Sequence, residues 1–358
     1  MRPHRHSIFC ILPPHILENI ASSADNVAQR QKALAALSIG STLRTQRLGM
    51  ALTAPPSPRG RRGHWSLKEV KKQRSLYSAK GTERLPGILV RQEGQGSSGD
   101  KAVDEAYDGL GATHDFYWQI FERNSIDDEG LPLSATVHFG RGFDNAFWNG
   151  EQMVFGDGDG ELFQRFTRSL EVIGHELSHG VVEDESKLAY LNQSGALNES
   201  LADVFGSLVK QRKKKQTAAQ ADWLIGSGLL TSKVKGRGLR SMKEPGTAYD
   251  DPVLGKDPQP GHMRDYVRTF QDNGGVHINS GIPNRAFYLV AEALGGHAWE
   301  RAGRVWYEAL RDSRLRPNSG FSAFAKICVN QASRLFGASK EVEKAVQSAW
   351  SEVGVEVA

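Results

Sequence analysis

The pattern of apolar and polar residues changes near residue 166. Upstream, residues 134–139 and 152–155 alternate as half-buried strands do, and a helical pattern begins at Val103. Downstream, apolar residues recur at spacings of three and four, which is typical of helices with one buried face. We therefore expect a first half that mixes strands and helices and a second half that is helical.

One apolar stripe in the middle of the chain predicts a central helix. It consists of Phe166, Leu170, Ile173, Leu177 and Val181. Four more helices are predicted later in the chain, at residues 285–294, 299–310, 320–336 and 341–353. Together these elements predict an α+β fold of two domains, a mixed αβ domain and an α-helical domain, with the central helix between them.

Two histidines lie four residues apart on the central helix, His175 and His179, and Glu176 follows the first. Residues i and i+4 share a helix face, so both imidazoles can reach one metal ion. Catalytic zinc takes three protein ligands and a water molecule, and Glu176 lies within reach of that water. The pattern predicts a zinc-activated hydrolase. The alternative is a hydrogen-bonded histidine pair on an ordinary helix.

A second helix is predicted 20 residues after His179, and it carries Glu199 and Asp203 on one side. Carboxylates on an otherwise apolar helix are costly to bury unless a metal or another cation compensates them. We expect Glu199 to be the third zinc ligand. Asp203 is then expected to accept a hydrogen bond from the other ring nitrogen of a ligand histidine. The alternative is that both carboxylates face water.

These motifs, HELSH followed by GALNESLAD, resemble those of the thermolysin family of zinc metalloendopeptidases. Further segments resemble the same family at residues 145–150, 153–160, 239–242 and 272–281. The resemblance covers about residues 75–358, and residues 13–17 point to the protealysin-like branch, which has a short propeptide. It implies a thermolysin-like two-domain enzyme that cuts peptide bonds on the amino side of hydrophobic residues and is synthesised as an autoinhibited zymogen.

The resemblance also implies catalytic roles. Glu176 would be the general base that activates the water molecule. His277 and Tyr190 would donate hydrogen bonds to the oxyanion that forms when water attacks the peptide. Asp272 would hold His277 and favour its protonated form.

For substrate binding, the resemblance implies that Arg240 holds the carbonyl just after the bond that is cut. Asn145 and the Ala146 backbone would pair with an extended substrate as an added strand. The side chain after the cut would enter an apolar pocket, which prefers Leu, Phe or Ile. That pocket would be lined by Phe163, Phe166, Val172, Ile225, Leu229 and Leu239.

Calcium ligands of the family are mostly missing from this chain. The corresponding positions hold Glu171, Lys210, Asp222, Leu224 and Ser227. Only two of these are carboxylates, whereas calcium takes six to eight oxygen ligands. We expect calcium to bind weakly or not at all, and we expect the Lys210 ammonium to pair with Glu171.

The resemblance implies that residues 1–60, called the leader below, are an inhibitory propeptide and its linker. The domains are then expected at residues 61–180 and 181–358. Within the leader, residues 15–48 suit helices, and residues 54–63 are rich in Pro, Gly and Arg, as exposed linkers are. Pro13, Pro14 and His15 are expected near the catalytic cleft, and a Cys10 thiolate touching the zinc is a further alternative.

Charge is distributed unevenly along the chain. Residues 1–74 carry 13 Lys and Arg against three Asp and Glu, a net charge of +10, so the remainder carries −6 of the overall +4. This asymmetry predicts a basic leader that docks on an acidic body through charge, and the alternative is a disordered tail. An acidic body is not the surface expected of a nucleic-acid-binding protein.

The sequence constrains the partners and the location of the protein less than it constrains the active site. No apolar run approaches 18 residues, so we expect no membrane span. We expect a monomer whose partners are peptide or protein substrates and its own leader. The resemblance implies secretion, yet residues 8–12 are too short an apolar run for a recognisable signal peptide, which leaves cytoplasmic location or leaderless export open. A zinc aminopeptidase and an inactive peptide-binding scaffold are the rival functions.

Overall fold

A six-stranded mixed sheet lies in the first half of the chain, in a computed structural model that describes residues 9–53, 70–337 and 340–357. Its strands are β1 (Phe9–Cys10), β2 (Arg74–Ser78), β3 (Ile88–Gln92), β4 (Leu133–Val137), β5 (Ala146–Trp148) and β6 (Met153–Phe155). They lie in the order β1-β5-β6-β4-β2-β3, and β2, β4 and β6 run parallel. Two short ladders follow, formed by β7 (Leu224–Ile225) with β8 (Arg240–Ser241) and by β9 (Asp250–Asp251) with β10 (Gly255–Lys256).

Ten α-helices make up most of the remaining described residues. They are α1 (Pro14–Ser23), α2 (Val27–Thr53), α3 (Lys101–Phe121), α4 (Leu170–Glu185), α5 (Asn192–Lys214), α6 (Asp272–Asn279), α7 (Gly281–Leu294), α8 (Ala302–Leu310), α9 (Phe321–Phe336) and α10 (Lys340–Glu352). The predicted α+β class is confirmed, with strands concentrated before residue 156 and helices after residue 169. None of the helices in the described part of the chain combines the length and the apolar character that crossing a bilayer requires.

The beginning of the central helix differs from the prediction. The apolar stripe places Phe166 on that helix, but α4 begins at Leu170, and Phe166 lies in a separate 3₁₀ turn, Phe166–Arg168. Ser169 interrupts the helical backbone with φ −100° and ψ 105°. Phe166 is nevertheless fully buried, so its spacing reflects burial and not continuity of the helix.

The leader packs on the rest of the chain through α1 and α2. Ile16, Leu17 and Ile20 are buried in the same continuous apolar core as the later helices and the sheet, and the Asn19 amide donates to the Leu254 carbonyl at 2.9 Å. The predicted helices of the leader are confirmed. The linker predicted at residues 54–63 lies outside the described residues. So do eight of the 13 Lys and Arg side chains of residues 1–74, and docking by charge therefore stays a prediction.

Close contact between α4 and α5 places the two chemical motifs face to face. A Cβ on Gly206 would lie 2.4 Å from the Glu171 backbone carbonyl oxygen and 2.8 Å from the His175 backbone nitrogen. Only glycine tolerates such an approach of two backbones. A Cβ on Gly174 would likewise lie 3.0 Å from Gly206 Cα. The histidines of α4 therefore lie directly opposite the acids of α5.

A buried ammonium lies where the resemblance places calcium ligands. Lys210 is 2% exposed, and its Nζ lies 2.8 Å from Asp222 Oδ1 and 3.2 Å from Glu171 Oε1. It also donates to the Leu224 carbonyl at 2.9 Å, while the Ser227 N–H donates to Glu171 at 2.7 Å. The predicted pairing of Lys210 with Glu171 is confirmed, and the ammonium supplies the positive charge at the centre of this group.

Replacing Lys210 by Ala is expected to destabilise the fold by about 3–5 kcal/mol, because Glu171 would keep a buried charge without its cation. Urea unfolding of the two proteins measures this difference. The matched control is Lys213→Ala, an exposed lysine of the same helix, which should stay within about 0.5 kcal/mol of wild type. Equal stabilities for both variants would contradict the assignment.

Candidate active site

Two histidines of α4 and one glutamate of α5 converge in the buried contact between these helices. His175 Nε2 lies 3.0 Å from His179 Nε2. The Glu199 carboxylate oxygens lie 3.6 Å from His175 Nε2 and 3.5 Å from His179 Nε2. One ligand atom from each residue lies within 4.8 Å of the others, and all three side chains are buried. The structure thus brings together the three predicted zinc ligands.

Each ligand imidazole is oriented by a hydrogen bond at its other nitrogen. His175 Nδ1 lies 2.8 Å from Asp203 Oδ1, and His179 Nδ1 lies 2.8 Å from Asn198 Oδ1. Both partners are acceptors, so each Nδ1 carries the proton and each Nε2 presents a lone pair. Two lone pairs 3.0 Å apart beside a carboxylate repel each other unless a cation lies between them. This donor set fits a zinc ion.

Asp203 connects the metal-ligand group with the predicted substrate-binding arginine. It accepts from Arg240 Nε at 2.9 Å and Nη2 at 2.8 Å, and from the Asn284 amide at 2.8 Å. Burial would raise the pKa of Asp203, but the charge of Arg240 and the hydrogen bonds donated by His175 and Arg240 outweigh burial and hold the pKa well below its usual value. Asp203 therefore stays a carboxylate that fixes both His175 and Arg240.

A tight turn at the start of α6 presents His277. Gly274 and Gly275 adopt φ values of 87° and 73° there. Asp272 accepts from the His277 backbone N–H at 2.9 Å, and its other oxygen lies 2.7 Å from Nδ1. Burial would lower the pKa of His277, but Asp272 and Glu199 outweigh burial and raise it. This shift favours the protonated form of His277.

The second nitrogen of His277 faces the metal-ligand group. Nε2 lies 3.2 Å from the Tyr190 hydroxyl and 3.5 Å from Glu199 Oε1. The Tyr190 hydroxyl also donates to Glu199. Glu176 is fully buried on α4, directly after His175. Two potential donors and one carboxylate therefore surround the place where a metal would bind.

The leader occupies the strand edge that was predicted to bind substrate. β1 pairs antiparallel with β5, so β5 is not an edge strand here. The Ile11 N–H donates to the Ala146 carbonyl at 3.2 Å, and the Leu12 N–H donates to Asn145 Oδ1 at 3.1 Å. Arg240 Nη1 donates to the Ile11 carbonyl at 3.2 Å. All three predicted backbone-binding groups hold the leader.

His15 was predicted near the cleft and Cys10 was considered as a zinc ligand, and both contact residues distant in the sequence. The Cys10 contact is made by its carbonyl oxygen, which lies 3.2 Å from His277 Nε2. The metal-ligand group identified among the described residues contains no cysteine, so this backbone contact replaces the thiolate ligation considered above. His15 Nε2 is hydrogen-bonded to the Tyr249 hydroxyl at 2.9 Å.

The predicted apolar pocket residues are all buried. None is more than 1% exposed: Phe163, Phe166, Val172, Ile225, Leu229 and Leu239. The Leu239 N–H donates to the Ile225 carbonyl at 2.8 Å, next to Arg240 on β8. Ile11 is fully buried and belongs to the same continuous apolar cluster. The Ile11 carbonyl accepts from Arg240, the residue after Leu239, so the leader backbone lies beside this predicted pocket.

Several supporting residues were not predicted from the sequence. Asn198 orients His179, and its position immediately before Glu199 on a buried helix was an available signal. Asn284 holds Asp203 from 81 residues away, and Gln259 donates to the His277 carbonyl at 2.7 Å. No local sequence pattern predicts these two contacts, because each forms only when distant parts of the chain pack together.

Comparison with known proteins gives one consistent result. The chain matches the family model "Thermolysin metallopeptidase, catalytic domain" over residues 57–183 and "Thermolysin metallopeptidase, alpha-helical domain" over residues 186–355. An extracellular metalloprotease of Pectobacterium carotovorum subsp. carotovorum is 54% identical over 350 residues, 98% of this chain and 97% of that protein. Protease PrtS of Photorhabdus sp. is 50% identical over 354 residues, 97% of this chain and 92% of that protein.

A solved structure is similar over nearly the whole chain. It is the precursor of protealysin, a metalloproteinase from Serratia proteamaculans. Its TM-score to this chain is 0.86 at 52% sequence identity, with 97% of this chain and 100% of that chain covered. The similarity therefore includes the arrangement of the leader region as well as both domains.

Replacing Asn198 by Ala is expected to weaken zinc binding by about 10- to 100-fold, because His179 would lose the acceptor that fixes its ring. Competition with a fluorescent zinc chelator measures the affinity. Asn330→Ala, at an exposed position of α9, serves as the control and should bind zinc as wild type does. Unchanged affinity in Asn198→Ala would show that the contact does not support the metal site.

Proposed function

This chain belongs to the thermolysin family of zinc metallopeptidases, in its protealysin-like branch, and we propose that His175, His179 and Glu199 hold its catalytic zinc. Members of this family hydrolyse peptide bonds, and this chain is a zinc-dependent endopeptidase made as a zymogen. The observation that carries the assignment of the site is the convergence of three buried ligand atoms within 4.8 Å of one another. His277 and Arg240 complete the site beside them.

The proposed chemistry divides between the metal and the protein. Zinc, when bound, polarises the substrate carbonyl and lowers the pKa of water. Glu176 takes a proton from the attacking water and transfers it to the leaving amine. His277, whose protonated form Asp272 favours, and Tyr190 donate to the oxygen on which negative charge develops.

We propose that substrates bind to β5 as an added strand. Asn145 Oδ1 and the Ala146 carbonyl accept from substrate N–H groups, and Arg240 donates to a substrate carbonyl. The Arg240 guanidinium is held rigidly by Asp203, so little entropy is lost when it binds the carbonyl. The buried apolar residues around Phe163, Phe166, Val172 and Leu239 favour a hydrophobic side chain after the cut.

We propose that the leader, residues 1–60, inhibits the enzyme from within the same chain. It covers β5 and uses the Asn145, Ala146 and Arg240 contacts that a substrate needs. The two catalytic domains are then residues 61–180 and 181–358. Removal of the leader exposes the cleft to peptide and protein substrates.

The remaining proposals concern the oligomeric state, the partners and the location of the protein. We propose a monomer that acts on peptides and has neither nucleic acid nor a membrane as a partner. A relative that is 54% identical is an extracellular metalloprotease, which supports secretion of this chain. The acidic body, with its net charge of −6, supports the exclusion of nucleic acid.

Glu176→Gln is expected to lower kcat/KM on casein by about 100- to 10,000-fold, because the amide cannot accept the proton of the water. Both proteins are first treated with trypsin to open the Arg-rich linker, so that maturation does not limit the variant. Zinc content should stay at one ion per chain. The matched control Glu151→Gln, at an exposed position, should keep full activity. Equal activity of Glu176→Gln and wild type would remove Glu176 from the mechanism.

Docking of the leader is expected to depend on pH through His15. Burial lowers the pKa of His15 to about 4; Asp272 opposes this change, whereas His277 and Arg240 add to it. In an undocked leader the pKa returns to its ordinary value of 6.5. The docked state therefore binds fewer protons, and its stability is fully present above pH 6.5 and is lost as the pH falls toward 4.

Hydrogen exchange in α1 tests this pH dependence, in the Glu176→Gln background and after correction for intrinsic exchange rates. Protection should fall between pH 6.5 and 4 in the parent. It should fall much less in His15→Gln, which keeps a hydrogen-bonding side chain that does not titrate in this range. Identical pH profiles would show that His15 does not control docking.

A further inference from the structure

The leader runs through the cleft as a continuous set of backbone hydrogen bonds. The Ile11 N–H, the Ile11 carbonyl and the Leu12 N–H are bonded to Ala146, Arg240 and Asn145, respectively. These three groups are all the backbone donors and acceptors from the Ile11 nitrogen to the Leu12 nitrogen, so each of them has a hydrogen-bond partner. The register of this short strand is therefore fixed residue by residue.

One carbonyl of the leader faces the catalytic groups. The Cys10 oxygen lies 3.2 Å from His277 Nε2, and that nitrogen lies 3.5 Å from Glu199 Oε1 and 3.2 Å from the Tyr190 hydroxyl. A carbonyl can only accept, so His277 donates to it. The peptide group next to the metal ligands is thus the one that joins Cys10 to Ile11.

The side chains agree with this register. Ile11 is a fully buried aliphatic residue that directly follows the Cys10 carbonyl, and its own carbonyl accepts from Arg240, the residue after Leu239. An aliphatic residue after the bond that is cut is the preference proposed above for substrates. The leader therefore presents a suitable residue at the suitable position.

We propose that the leader lies in the cleft in the chain direction of a substrate, with the Cys10–Ile11 bond in the place of the bond that is cut, and that the enzyme hydrolyses this bond in its own chain. This inference rests on the proposed function. The water oxygen bonds to the Cys10 carbonyl carbon, the bond to the Ile11 nitrogen breaks, and a water proton passes to that nitrogen. The products are a Cys10 carboxylate and an Ile11 amine.

The cut does not by itself release the inhibitor. Pro13 and Pro14 lack backbone N–H groups, so the run of backbone hydrogen bonds ends after Leu12, and α1 begins at Pro14. The fragment that starts at Ile11 keeps the buried contacts of α1, and it stays on the cleft as a bound product. Self-cleavage would thus be a first step, and cutting of the linker would complete maturation.

The test uses the full-length chain supplied with zinc, with all fragments identified by mass and N-terminal sequence and casein hydrolysis followed in parallel. We expect a fragment ending at Cys10 and one beginning at Ile11 in wild type, and neither in Glu176→Gln. Ile11→Asp should slow the cut by at least about tenfold, since an apolar region rejects a carboxylate. Leu34→Ala, at a leader position that is 56% exposed, should leave the rate unchanged.

Casein hydrolysis without any break at Cys10–Ile11 would overturn this inference and leave the proposed function intact. Absence of the cut, together with no casein hydrolysis even after trypsin has opened the linker, would overturn both.

A second measurement does not depend on turnover. In metal-free Glu176→Gln chain, hydrogen exchange resolved to single residues should show the Ile11 and Leu12 amides protected by at least about tenfold over an unstructured peptide. Ile11→Asp should remove that protection and Leu34→Ala should retain it. Free exchange of both amides in the parent chain would show that the leader is not held in this register, which contradicts the proposal.

Discussion

The close contact of α4 with α5 is the constraint on which the active site depends. Gly206 and Gly174 let the two backbones approach so closely that the buried side chains of His175, His179 and Glu199 converge. Charges buried in this way must be compensated. Arg240 compensates Asp203 through two hydrogen bonds, and a divalent cation is what the three ligand side chains require. The packing that stabilises the fold thus also buries ligand side chains that need a metal cation.

Inhibition and catalysis use the same groups in this molecule. The Asn145, Ala146 and Arg240 contacts that would hold a substrate hold Ile11 and Leu12 of the leader, and His277 donates to the Cys10 carbonyl. Asp203 links this substrate-binding region to His175 through side-chain hydrogen bonds alone. A change at Asp203 would consequently affect metal binding, substrate binding and docking of the leader together.

The sequence was most informative where the signal is local. The ligands on α4 and α5 were predictable because a helix places residues i and i+4 on one face, and the four last helices because their apolar spacing is regular. Prediction failed at Phe166, where a buried 3₁₀ turn continues the spacing of a helix across the break at Ser169. Burial preserves a hydrophobic pattern even where the backbone geometry changes.

Contacts between distant parts of the chain were not predictable from local patterns. Asn284 reaches Asp203 across 81 residues, and His15 reaches Tyr249 across 234. Nothing near these residues in the sequence distinguishes them from other buried polar side chains. The chain direction of the leader in the cleft depends in the same way on which backbone groups of β5 it meets, and only the folded arrangement specifies that.

Anomalous diffraction at the zinc absorption edge, from crystals of the full-length chain grown with zinc supplied, tests the central claim most directly. The account predicts one strong peak at bonding distance, about 2.0–2.2 Å, from His175 Nε2, His179 Nε2 and a Glu199 oxygen. A crystal in which these side chains are ordered and no peak lies between them would contradict it.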